Sequence, residues 1–206
     1  MNYQLTAAFS PESLRLFMIG LSLVHRGNLH EAIGVFSSVL ALERKSSSHQ
    51  PADLVTVYLQ LGLTYNLINR HDLALSSYEE ALHICQKHLP NSTFHASVLL
   101  RLFTMHVLLN DAAAARAIGL DLLSMHEKHN LLDRPSQATL LLKLGELEQS
   151  YGEIVQANSY FQRASIAFND LLGEENNYSR AIRERCLEML CSSPQILNNL
   201  FEKDKK

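Results

Sequence analysis

Histidines, cysteines and paired carboxylates are the residues of this chain with the most evident chemical potential. His126-Glu127-Lys128-His129 sets two imidazoles one helical turn apart, a spacing that metal sites use. Zinc needs three or four ligands, and no third stands nearby, so the pair reads as an exposed helix end and no metal is expected. Glu79-Glu80 and Glu174-Glu175 are neighbours along the chain. On a helix their carboxylates diverge, which makes them poor acid–base partners. Cys85, Cys186 and Cys191 make no C-x-x-C pair, and an odd, sparse count suits a reducing compartment. Phosphate loop, nucleophile elbow and dinucleotide fingerprint do not occur in the sequence. The expectation is a chain that is not an enzyme and uses no cofactor.

The residues that do recur are small ones and aromatics. In YLQLGLTYNLINRHDLALSSYEEAL, Tyr58, Leu61, Gly62 and Tyr65 share one helical face, and Ala74, Tyr78 and Ala81 share another after a short polar break. Upstream, Gly20, Gly27, Ala32 and Phe36 repeat the arrangement, and the steps Gly20 to Gly62, Ala32 to Ala74 and Phe36 to Tyr78 are each 42 residues. Downstream, Gly145, Gly152, Ala157, Phe161 and Ala164 repeat it again, 83 residues after Gly62. That gap holds one further pair, LLRLFTMHVLLNDAAAARAIGLDLL. There Phe103 takes the glycine place, Ala115 the alanine place and Gly119 the aromatic place, which leaves this pair loosely specified.

This constellation resembles the tetratricopeptide repeat. The step exceeds the roughly 34 residues of the common form, and in this it looks like the extended repeats of kinesin light chains. The resemblance implies an all-α fold, a right-handed superhelix of about four helix pairs. Those relatives usually carry paired asparagines on the first helix of each repeat. Gln60, Arg101 and Lys143 stand there in this chain, so their mode of peptide recognition is not carried over. The resemblance implies a binding function for proteins and names no partner.

The expected organisation is a lead-in over residues 1–10, a solenoid over 11–173, and a capping helix with a short tail over 174–206. Ser10 and Pro11 open the first helix as N-cap and first-turn proline. The pairs are expected at about 11–25 and 29–44, 51–68 and 71–88, 93–109 and 112–129, and 135–151 and 154–172. Asp111 is expected to cap the helix that starts at Ala112, and Gly173 to end the last one. Tyr178, Ile182, Cys186 and Met189 form an apolar stripe fit to cover the final repeat. Residues 194–202 read as a short helix that either folds back or docks on a partner.

Composition agrees with this class. Apolar content of 47% supports burial, and a net charge of −3 provides no field for nucleic acid or anionic lipid. The start, MNYQLTAAFS, has neither the basic region nor the apolar core of a signal peptide, and no apolar run reaches membrane-spanning length. Asn91-Ser92-Thr93 and Asn177-Tyr178-Ser179 match the glycosylation pattern but are expected to be idle. An intracellular protein, cytoplasmic or nuclear, is expected.

Stacked pairs of this type curve, with the first helix of each pair on the concave side. Off the packing stripe lie Leu14, Phe17, Leu21 and Val24, then Thr56, Leu59, Leu63 and Asn66. They are followed by Ser97, Leu100, Thr104 and Val107, and finally by Thr139, Leu142, Glu146 and Gln149. The set runs from apolar to polar and acidic, and it lacks the lysine–asparagine cluster with which chaperone-binding relatives hold a terminal carboxylate. It is expected to hold a helix or extended peptide of another protein, without excluding a homo-oligomer. A stable clasp and a reversible adaptor remain the two alternatives.

Overall fold

The computed structural model describes residues 9–45 and 50–172, together with 177, 180, 181 and 184. The expectations for Gly173, for the stripe Tyr178, Ile182, Cys186 and Met189, and for residues 194–202 fall outside the described residues. Eight helices occupy the described part: α1 (Pro11–His25), α2 (Leu29–Lys45), α3 (Pro51–Leu67), α4 (His71–His88), α5 (Thr93–Leu108), α6 (Ala112–His129), α7 (Arg134–Ser150) and α8 (Ile154–Leu172). The fold is all-α, in consecutive helix pairs, with each boundary within a residue of its expected place.

Local chemistry explains the boundaries. Side chains of Ser10, Ser92, Asp111 and Asp133 accept from the backbone N–H groups of Ser13, His95, Ala114 and Ser136 at 2.9–3.1 Å, which satisfies one orphan donor at each helix start. The turn inside each pair needs one left-handed residue, supplied by Gly27 (φ 80°), Asn69 (φ 58°), Asn110 (φ 58°) and Gly152 (φ 79°). These follow one another at the repeat step. Asparagine serves where glycine is absent because its short polar side chain tolerates this region.

The chain divides into two compact units, Met1–Leu109 with α1 to α5 and Asn110–Lys206 with α6 to α8. In the first unit α1 packs on α2, α2 on α3, α3 on α4 and α4 on α5. Its core is a row of ring-on-glycine contacts. A Cβ built on Gly20 would lie 2.5 Å from the Phe36 ring, and one on Gly62 would overlap the Tyr78 ring. The second unit repeats this with Gly145 and Phe161 at 2.7 Å. Ala32, Ala74, Ala115 and Ala157 are all fully buried, as close helix approach requires.

Position in the array decides burial. Val57, Tyr58, Leu61 and Thr64 of α3 are buried because helices flank it on more than one side. Their counterparts 42 residues earlier on α1 are Arg15, Leu16, Ile19 and Ser22, of which Leu16 is half-buried and the others are exposed. The outer face of α1 therefore presents Met18 and Ile19, 50% and 48% exposed. Among the described residues no helix is long and apolar enough to cross a membrane.

Candidate partner-binding face

In the first unit α3 touches α5 directly, so the first helices of the second and third pairs stand side by side. The candidate residues on these helices lie one helical turn apart. Leu14, Leu21 and Val24 of α1, Leu63 and Asn66 of α3, and Leu100 and Val107 of α5 are all half-buried. Each apolar member keeps part of its surface open beside the core. Leu67, Leu108 and Leu109 extend the apolar surface at the C-terminal ends of α3 and α5, and are 51%, 57% and 41% exposed.

Two expected members do not offer their side chains. Phe17 is 2% exposed, with its ring 5.1 Å from that of Phe9 and 5.7 Å from that of Phe36. Gly20, one turn further along, admits Phe36, and Phe17 closes the same packing. Leu59 is 9% exposed and belongs to the margin of the core.

The hydroxyls on the face are locally occupied. Thr56, Ser97 and Thr104 donate to the carbonyls of Ala52, Thr93 and Leu100 at 2.7–2.8 Å, and Thr139 to Pro135 at 2.9 Å. Back-bonding of this kind commits the hydroxyl donor within the helix. The face is therefore less polar than its residue types suggest. Asn66 differs, since its Oδ1 is buried and accepts no hydrogen bond.

In the second unit the expected residues have other duties. Leu142 packs against Ala157 and Phe161, alongside Phe168. It belongs to the contact between α7 and α8. Glu146 accepts from Lys143 Nζ at 2.8 Å. Gln149 is half-buried. Between them Glu148 is fully buried, and it receives both Nε and a terminal nitrogen of Arg116 at 2.8 and 2.9 Å. The Arg116 guanidinium also lies 5.3 Å from the Tyr151 ring centroid. This fork ties α6 to α7 across 32 residues of sequence, and local spacing carried no sign of it.

The histidine pair at 126 and 129 is not one site. His126 is buried, contrary to the exposed helix end expected, and its Nδ1 accepts the Leu132 N–H at 3.0 Å. That bond fixes the other ring nitrogen as the proton carrier. Burial holds the His126 pKa below its ordinary value, against the nearby Glu127 charge. Among the described residues no group of three or more His, Cys, Asp or Glu is placed to hold a metal. A cleft of about 540 Å³ opens in the second unit beside Leu132, Arg134, Gln137, Arg163 and Ile166. Its arginines are paired, Arg134 with Asp170 at 2.8 Å and Arg163 with Glu127 at 2.6 Å.

Residues 12–87 match the tetratricopeptide repeat family model. At the level of sequence alone no characterised protein matches the chain. In fold, the chain is similar to a Podosopora anserina putative kinesin light chain with nearly identical TPR-like repeats, at a TM-score of 0.70 and 16% identity, over 93% of each chain. It is similar to BtubC (BKLC) from P. vanneervenii at a TM-score of 0.66 and 18% identity, over 86% of this chain and 79% of that one. A Rap protein complexed with Competence and Sporulation Factor aligns at a TM-score of 0.60 and 13% identity, over 94% of this chain and 52% of its own. This chain therefore spans about half of that protein. The first two helix pairs, residues 12–87, are tetratricopeptide repeats, and the helices that follow share the tetratricopeptide-type fold.

Proposed function

We propose that the chain is a non-catalytic protein-interaction scaffold that holds an apolar helix or extended segment of another protein. The observation that carries this reading is the set of half-buried apolar residues on α1, α3 and α5: Leu14, Leu21, Val24, Leu63, Leu100 and Val107. Partly exposed apolar side chains at helical spacing on the first helix of each pair suit a partner that supplies its own apolar stripe. Each square ångström of apolar area removed from water contributes roughly 25 cal/mol before ordering costs. A stable clasp is favoured because the hydroxyls around these side chains are already bonded within their helices.

A reversible peptide adaptor is the second reading. It is favoured by Asn66, a half-buried amide on the same face as Leu63, whose side chain suits hydrogen bonding to the backbone of an extended peptide. The likeness in fold to a Rap protein complexed with a factor is consistent with either reading.

Affinity purification of the tagged chain against Leu63→Glu/Leu100→Glu, read by mass spectrometry, tests both. One stoichiometric protein lost in the variant supports the clasp. Several weak partners that are also lost on Asn66→Ala support the adaptor. Identical partners from wild type and both variants would remove this face from consideration, provided circular dichroism shows native helicity.

A further inference from the structure

Repeat proteins allow one position to be compared with itself. Glu43 of α2 has its counterparts 42 and 83 residues on, at Cys85 of α4 and His126 of α6. All three are buried. Cys85 is apolar in behaviour, and His126 is satisfied by the Leu132 N–H. Glu43 alone of the three brings a carboxyl group. It is 2% exposed, and its Oε1 has no hydrogen-bond partner.

A second carboxyl lies within its field. Asp53, in the first turn of α3, is 4% exposed, and its Oδ2 also has no partner. Burial first, and the Glu43 charge second, push the Asp53 carboxyl up to about 6. The neighbouring cation does not neutralise the pair. Arg44 donates to the Tyr58 hydroxyl and lies 5.8 Å from that ring's centroid. Among the described residues, the charged and titratable groups of the junction are Glu43, Arg44 and Lys45 from α2, Asp53 and Tyr58 from α3, and Glu80 from α4, which acts on Tyr58.

We propose that Glu43 and Asp53 form an acid-sensitive latch between the first two helix pairs: protonation lets α2 and α3 close on each other, and loss of the proton at neutral pH loosens them. A buried carboxylate with an oxygen that no donor reaches is poorly solvated, and a second carboxylate nearby raises the cost of its charge, which one proton removes. The fold therefore prefers Asp53 in its protonated form. The stability it contributes is present below the unfolded value of 3.8 and is lost as pH rises through about 6. The latch does not depend on what the partner-binding face holds.

Native-state hydrogen exchange on the full chain, corrected for the intrinsic pH dependence of exchange, tests the proposal at pH 5.0 and 7.5. Protection of α2 and α3 amides should fall by about 5- to 10-fold on going to the higher pH, the limit being set by the shift of Asp53. Asp53→Asn should remove most of that fall, and Glu43→Gln the smaller share that the Glu43 charge contributes. Protection in the wild type that is flat or rises with pH overturns the latch, as does an equal fall in both variants. Restoration at pH 7.5 by added calcium or magnesium, absent in Glu43→Gln, would overturn it in favour of a cation site. If Asp53→Asn does not fold, Glu43→Gln decides by whether the fall shrinks. If neither variant folds, the wild-type profile decides.

Discussion

Gly62→Ala is the sharpest test of how this fold is packed. A glycine inside a helix costs about 1 kcal/mol relative to alanine, so propensity alone favours the change. Packing opposes it. A Cβ at Gly62 overlaps three atoms of the Tyr78 ring, which is 1% exposed. Overpacking of a closed core typically costs about 1–3 kcal/mol, and a clash with a rigid ring belongs at the upper end. The net expectation is a loss of about 1–2 kcal/mol. Gly34 is the control. It lies in α2, is exposed, and a Cβ there meets nothing within 4 Å. Gly34→Ala should therefore stabilise by about 0.5–1 kcal/mol. Urea unfolding at fixed pH, followed by circular dichroism, measures both. In a Tyr78→Leu background the smaller side chain leaves room, and Gly62→Ala should become neutral or favourable, with a coupling of about 2 kcal/mol. Equal stabilisation by the two alanines would refute the ring-on-glycine account.

The same comparison of repeat positions gives further expectations. Leu61→Ala should cost about 2–5 kcal/mol, whereas Ile19→Ala, 42 residues earlier and 48% exposed, should cost under about 1 kcal/mol in the same denaturation assay. Arg116→Met leaves fully buried Glu148 unpaired and should lower the thermal midpoint by more than about 4 °C, while Glu148→Gln should lower it less. The Cys85 thiol, pushed up to about 12 by burial, should resist maleimide at pH 8 in the native chain with Cys186 and Cys191 replaced by serine, and react only on unfolding. His126 titrates below its ordinary value, so the stability it contributes is present above 6.5 and lost as pH falls through its folded value. His126→Gln should flatten that acid limb in amides of α6 and α7.

The helix pairs were legible because close packing leaves a strict signature: glycine, alanine and an aromatic must sit at fixed helical spacing. Their recurrence reported the fold before any contact was known. The turns were less legible, since Asn69 and Asn110 replace Gly27 and Gly152 while keeping the same left-handed backbone. Comparing residue types hides what comparing conformations reveals. Phe17 was misplaced because its position was inferred from repeat geometry, whereas on α1 the ring is drawn into packing with Phe9 and Phe36. Leu142 followed the same logic into the contact with Phe161. The Arg116–Glu148 fork and the Glu43–Asp53 pair had no local signal at all, because their partners meet only once the helices have packed.

That contrast bears on where function resides in such a chain. Ala32, Ala74, Ala115 and Ala157 are all fully buried and never vary, so they carry the requirement of close helix approach and nothing else. Glu43, Cys85 and His126 share a position too, yet one is acidic, one a thiol and one an imidazole. The backbone fixes the place without fixing its chemistry. In arrays whose units are held chiefly by their nearest neighbours, a weakened junction loosens the adjoining helices first. A pair of unsatisfied carboxyl groups at the α2–α3 junction therefore concentrates pH sensitivity there. Because α3 also carries Leu63 and Asn66, the pH response of this junction and that of binding can be compared on one helix. Binding measured at pH 5.0 and 7.5, in the wild type and in Asp53→Asn, separates the two: a pH effect on affinity that survives in Asp53→Asn would show that the junction and the face act independently.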